Sequence, residues 1–200
     1  MITAWTQEHL ARLAAVRIGV AGAGGLGSNA VMCLARAGVR HLVVVDPDVV
    51  EADNLNRQAY TRAQVGRFKV DALAENVASA APGCGLVTHR IRWAPGEAAR
   101  LFEGCAVVLE ALDEAGAKAG LIEDVLTHLP EAAIVCVSGL AGIGGNNALR
   151  TTGHGRLFVV GDGHTAPGPD VPLLAPRVVA AAALQANMAL ALALGDTETG

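Results

Sequence analysis

Two hundred residues set the size of a single domain, long enough to bury about two thirds or more of the surface its unfolded chain would expose. Apolar residues make up 52% of the sequence and aromatic residues only 3%, so the core has to be close-packed aliphatic layers, which suits a parallel sheet covered by helices. A formal charge of -4 and a pI near 5.8 argue against nucleic acid as the main partner, because that role leaves a basic face.

In chain order, residues 6–15 read as a short helix that covers the sheet, with Leu10 and Leu13 on one side. An apolar run over 16–21 feeds directly into Gly22–Ala23–Gly24–Gly25–Leu26–Gly27. A helix over 25–37 follows, and Gly38 stands where a left-handed C-terminal cap belongs. The second strand, 41–45, ends on Asp46. Over 48–66 the periodicity is lost and polar residues gather, and a loop of that length in a compact domain is usually functional. Val70, Leu73 and Val77 restore helical spacing until Pro82 and Gly83. Strands over 86–89, 106–112 and 134–137 then alternate with helices over 96–102 and 114–129, with Asp113 at the C-terminal end of the 106–112 strand.

This alternation predicts an α/β fold, a doubly wound, Rossmann-like and mainly parallel sheet. Beyond Ser138, strand-like runs over 148–152 and 156–160 flank Gly153–His154–Gly155 and predict a hairpin that extends the sheet antiparallel. A proline-rich loop over 161–172 leads to a last helix that Pro176 opens and Gly195 ends, and 196–200 read as a frayed tail. That helix is a buried one: its apolar stretch, 178–194, falls short of the ~20 residues of a membrane span and is interrupted by Gln185 and Asn187. The expected domain is single, over 1–200.

The four cysteines, Cys33, Cys84, Cys105 and Cys136, lie far apart and form no C-x-x-C pair, so free thiols and no zinc are expected. The opening residues carry Glu8, His9 and Arg12 among apolar ones and do not build a leader, which places the expectation in the cytoplasm, with no membrane partner.

A strand that feeds a helix through G-x-G-x-x-G brings backbone N–H groups up to a phosphate, and an acid at the end of the next strand suits the ribose hydroxyls. Gly22, Gly24, Gly25, Gly27 and Asp46 therefore point to a nucleotide. Hydride transfer needs no more than this. Arg57, Lys69 and Asp113 go further, because phosphate chemistry calls for cations aimed at oxyanions and a carboxylate that holds a metal.

Gly22–Ala23–Gly24–Gly25–Leu26–Gly27, Asp46–Pro47–Asp48–Val49–Val50, Asn54–Leu55–Asn56–Arg57–Gln58 and Gly66–Arg67–Phe68–Lys69–Val70 resemble the ThiF/MoeB/HesA family, relatives of the ubiquitin-activating enzymes. The resemblance continues through Glu110–Ala111–Leu112–Asp113, Leu174–Ala175–Pro176–Arg177 and Leu184–Gln185–Ala186, and is strongest to short ThiF-type proteins. It implies adenylation, with ATP and Mg2+, of the C-terminal glycine of a small ubiquitin-like sulfur carrier ending in Gly-Gly, with pyrophosphate released, in thiamine or related sulfur-transfer biosynthesis. It also implies a homodimer. Carried over by motif, the glycine turn cradles the nucleotide, Asp46 holds the ribose, and Asn54, Arg57 and Lys69 contact the phosphates with Gln58 close by. Asp113 binds magnesium.

The chain departs from that pattern in three ways. Arg12 lacks the surroundings of the family's N-terminal arginine and is left unassigned, zinc-binding cysteine pairs are missing, and no cysteine follows Cys136. Adenylation without covalent transfer is the resulting expectation. Two other readings fit the same glycine turn: an NAD(P)-dependent oxidoreductase, and a non-catalytic carrier-binding subunit.

Overall fold

The computed structural model describes residues 5–199. Its elements are α1 (Gln7–Ala15), β1 (Arg17–Ala21), α2 (Gly25–Arg36), β2 (His41–Val45), α3 (Lys69–Ala80), β3 (Gly85–His89), α4 (Ala98–Leu101), β4 (Val107–Glu110), α5 (Ala115–His128), β5 (Ala133–Val137), β6 (Arg150–His154), β7 (Leu157–Gly161) and α6 (Ala175–Ala193). The strands form one seven-stranded sheet in the order β3-β2-β1-β4-β5-β7-β6. β1 pairs in parallel with both β2 and β4, so the chain reverses its direction of winding at β1, and a crevice opens beyond the C-terminal ends of β1 and β4.

Helices cover both faces. On one side α2, α3 and α6 close over Ile18, Val20, Leu42, Val44, Val107 and Leu109; on the other α4 and α5 close over Val43, Val45, Val108 and Ile134. Alternate residues of the same strands thus serve opposite layers, which is why the runs are apolar throughout. Gly19 lets Phe102 lie flat on β1, because a β-carbon there would collide with the ring. Gly19→Ala is expected to cost about 1–3 kcal/mol. The check is a denaturant titration with a lowered midpoint and an unchanged slope.

α2 ends as its sequence predicts: Gly38 has φ 103°, and Val39 N–H donates to Leu34 O at 3.2 Å. Three features depart from expectation. First, α1 covers α6 rather than the sheet. Leu13 is buried but Leu10 is half exposed, and Arg12 donates to Ala193 O at 3.2 Å. Arg12 is thereby tied to the far end of its own chain.

Second, the expected antiparallel hairpin does close that end of the sheet, but it turns at Gly155–Arg156, with Gly155 at φ 62°, and its second strand runs parallel to β5. Only edge strand β6 is antiparallel. This register sends Phe158 and Val160 into the core, and a slip of one residue would turn both outward. Third, the start of the expected tail is held to α6, since Asp196 N–H donates to Ala191 O at 2.9 Å. Residues 1–4 and 200, which open and close the expected domain, lie outside the described residues.

α6 has 19 residues and a mean hydropathy of 1.3, long and apolar enough to cross a membrane by those measures. In this fold its apolar side is a core surface. Val178, Ala181, Ala182, Ala186 and Ala189 are buried, with α2 and the sheet against them.

Candidate nucleotide site

The glycine turn lies at the crevice, and its glycines do different work. Gly22 has φ 99°, and a β-carbon on it would stand 2.5 Å from Ala111 O, so close packing of β1 on the end of β4 demands glycine. A β-carbon on Gly27 would strike the Gly22 carbonyl. At Gly24, by contrast, the nearest atom is Gln58 Nε2 at 3.9 Å, and that position faces open space. Gly24 is the N-cap of α2 and provides no side-chain cap, which leaves the first-turn amides available to an anion.

The segment after β2 folds over this turn. Asp46, 5% exposed, accepts from Ala23 N–H at 2.6 Å and from Asp48 N–H at 2.8 Å. Burial raises its pKa, with those two amides and the Lys69 charge opposing. Tyr60 donates to Ala23 O at 2.7 Å, so Ala23 is held on both sides. Ser28 Oγ donates to Gly24 O at 2.6 Å and accepts from Ala59 N–H, while Asn29 Nδ2 donates to Gly25 O and to Arg57 O. These bonds fasten the N-L-x-R-Q stretch to the start of α2.

Arg57 is the consequence. A β-carbon on Gly25 would stand 3.4 Å from Arg57 Cγ and 2.9 Å from Val178 Cγ1. Among the described residues the guanidinium donates only to neutral amide oxygens, Asn56 Oδ1 at 2.9 Å and Asn54 Oδ1 at 3.1 Å. Asn54 in turn donates to Glu51. Gln58 Oε1 is buried without a partner among the described residues. A cation and two amides thus stand at a helix N-terminus with spare hydrogen-bonding capacity.

Lys69 opens α3 and is buried, 7% exposed, with its Nζ 2.8 Å from Asp48 Oδ2. It is not the solvated charge that a helix-start lysine most often is. A positive charge at a helix N-terminus opposes the macrodipole, and Asp48 offsets it. Asp113 stands exposed beyond β4 and has no hydrogen bond or ion pair among the described residues. No group of three metal-binding side chains occurs among the described residues. As a lone oxygen donor Asp113 suits a cation that keeps most of its ligands as water and phosphate.

Several residues that matter here receive no role from sequence reasoning. Tyr60 is the chain's one tyrosine, and that singularity beside N-L-x-R-Q is the available signal. Glu110 is a charge inside an apolar strand, and its partner Lys118 on α5 lies 2.9 Å away. Arg177 and Asp162 pair at 2.6 Å and bind the 139–147 loop, with Arg177 donating to Gly144 O at 2.6 Å. Burial works against ionisation of Asp162, but the Thr165 hydroxyl, the His164 and Thr165 amides and the His164 ring outweigh it and hold the carboxyl well below its usual range.

A recess of about 430 Å³ opens beside this loop, lined by Ile143, Leu149, Leu174 and Pro176 among others. α6 supplies Pro176 to the recess and Val178 to the surroundings of Gly25. Burial pushes the thiols of Cys105 and Cys136 up to about 11, so both stay protonated at neutral pH and are poor nucleophiles. Cys84, half-buried, is also raised by burial.

The sequence profile described as ThiF family matches residues 1–199. The chain belongs to the ThiF family. Among curated relatives of this ThiF-family chain, "Adenylyltransferase and sulfurtransferase UBA4" of Eremothecium gossypii is 36% identical over 130 residues, 64% of this chain and 29% of that protein. The corresponding protein of Emericella nidulans is 32% identical over 158 residues, 78% of this chain and 30% of that protein. The chain therefore spans under a third of the length of these relatives.

Among solved structures, Escherichia coli tRNA N6-threonylcarbamoyladenosine dehydratase (TcdA) in complex with AMP superposes with a TM-score of 0.85. It is 21% identical, and the match covers 94% of this chain and 90% of that one. E. coli MccB with AMPCPP and MccA gives a TM-score of 0.73 at 17% identity, over 96% and 59% of the two chains. Both likenesses bear on the fold.

Proposed function

We propose that this chain is an ATP-dependent adenylyltransferase that activates the C-terminal carboxylate of a small ubiquitin-like carrier protein. One observation carries the reading: the N-L-x-R-Q segment is fastened onto the glycine turn, so that Arg57 stands at the N-terminus of α2 with no carboxylate partner among the described residues. A triphosphate, whose leaving group gathers charge during the reaction, gives that cation more to stabilise than the pyrophosphate of a dinucleotide does. The family membership and the UBA4 relatives, which are named as adenylyltransferases, agree with it.

In this reaction a carrier carboxylate oxygen attacks the α-phosphorus of ATP, the bond from that phosphorus to the bridging oxygen breaks, and pyrophosphate leaves with the electron pair. No proton need be transferred, so the burden is electrostatic. The first-turn amides of α2 receive phosphate oxygens, Arg57 and Lys69 face the charge that builds on the leaving group, and Asn54 and Gln58 orient it. Asp46, already fixed by Ala23 and Asp48, turns its remaining lone pairs to the ribose. Magnesium, when bound with the nucleotide, neutralises phosphate charge; Asp113 is the residue that would hold it.

The recess beside α6 takes the carrier's tail, and glycines at 142 and 144 allow a Gly-Gly peptide to approach the backbone closely. A homodimer, a cytoplasmic setting and a place in thiamine or related sulfur transfer belong to the same proposal, supported by the likeness of the motifs to short ThiF-type proteins. Exchange of labelled pyrophosphate into ATP, measured with MgATP and a Gly-Gly carrier, is expected to require both. NADH binding with no ATP binding and no exchange would overturn the proposal.

A further inference from the structure

Glu110 ends β4 fully buried, after Val107, Val108 and Leu109. Both of its carboxylate oxygens are engaged. Lys118 Nζ donates to each at 2.9 Å, and Leu112 N–H donates to Oε1 at 2.7 Å. Its carbonyl accepts from Gln185 Nε2 at 2.8 Å, and the same amide group donates to Val135 O at 2.8 Å.

The residues from Ala111 to Ala117 thus form an arc closed at both ends on one carboxylate, from Leu112 N–H on the strand side and from Lys118 on the first turn of α5. Asp113 opens the exposed stretch of that arc, 113–116. The backbone at Ala111 is pinned as well, with its N–H donating to Ala21 O at 2.9 Å. An apolar pair would fill the space under α5 at least as favourably. What the ion pair adds is a defined geometry for the loop above it.

We infer that Lys118 is a positioning residue for Asp113, acting through Glu110 to hold the loop that presents the Asp113 carboxylate to the nucleotide-bound cation. The inference rests on the adenylation reading and on Asp113 as its metal ligand. Lys118 touches neither the nucleotide nor the cation. It determines where a ligand stands, as partners behind metal ligands do when their removal weakens a site 10–100-fold.

The test is a Mn2+ titration, followed by electron paramagnetic resonance, of protein saturated with a non-hydrolysable ATP analogue. Lys118→Met is expected to weaken Mn2+ about tenfold, and Lys118→Arg to restore it to within about twofold because the guanidinium can reach both oxygens of Glu110. In an Asp113→Asn background, Lys118→Met is expected to add nothing, since both act on one ligand. Should the methionine variant fail to fold, Lys118→Gln, which can keep one hydrogen bond to Glu110, serves in its place with a several-fold loss expected. Unchanged Mn2+ affinity in the Lys118 variants while Asp113→Asn weakens it, or losses that add in the double variant, would overturn this inference alone. Unchanged affinity in Asp113→Asn would overturn the metal assignment and the inference together.

Discussion

Arg57→Ala is expected to lower pyrophosphate exchange by about 10²–10³-fold, the loss that follows removal of one preorganised donor from a developing oxyanion. In free energy this is roughly 3–4 kcal/mol of transition-state stabilisation. The protein itself should hardly notice. Among the described residues the guanidinium bonds only Asn54 and Asn56, so the thermal midpoint should move little. Arg57→Lys keeps the charge but not the planar fork, and is expected to recover only part of the rate. If Arg57→Ala binds and turns over ATP like the parent, the phosphate role of Arg57 is lost; a parent protein that binds a carrier tightly yet never adenylates it would instead favour the carrier-binding subunit.

Gly27→Ala is expected to fail in a different way. Its methyl group would strike the Gly22 carbonyl and stand 3.3 Å from Ala111 Cβ. Neither neighbour can move, because Gly22 N–H is bonded to Val45 O at 2.8 Å and Ala111 N–H to Ala21 O at 2.9 Å. An overlap of this kind in a well-packed region costs about 3 kcal/mol, or a fall of roughly 6–12 °C in Tm for a chain of this size. Nucleotide binding should go with it, since the first turn of α2 is displaced.

Gly24→Ala is the control. Its methyl group meets nothing nearer than Gln58 Nε2 at 3.9 Å, so Tm should stay within about 1–2 °C, while ATP affinity falls because the methyl occupies the ligand's approach. Calorimetric melts and ATP titration of the two variants separate the glycine that builds the fold from the glycine that meets the ligand. Equal effects of the two on Tm would contradict that division.

Legibility in the sequence followed the range of the interactions. The order of elements up to β5 could be read because the apolar runs of β1, β2, β4 and β5 are strands buried on both faces, and a run of that kind is a local signal. The nucleotide turn was legible for the same reason: glycine spacing, strand and helix are contiguous. Arg57 and Asn54 stood out only as a pattern of residue types. Lys69 shows where local reasoning stops, since a lysine at a helix start is ordinarily a solvated charge, and its burial depends on Asp48, 21 residues earlier in the chain. The direction of β7 was equally hidden. A hairpin is specified by its turn, but which of its strands meets β5, and in which sense, is decided by the core that Phe158 and Val160 enter.

By itself, then, the sequence determined a doubly wound α/β chain with a phosphate-binding turn and a set of polar residues suited to a triphosphate. Periodicity, glycine placement and residue chemistry act within a few positions of one another. Only the tertiary structure decided that Tyr60, Asp46, Ser28 and Asn29 converge to fasten the turn, that Glu110 and Lys118 meet beneath Asp113, and that α6 supplies residues to both the recess and the surroundings of Gly25. The physical reason is that a buried polar group must find its partner wherever packing puts one, and packing draws together residues whose spacing along the chain carries no trace of the contact.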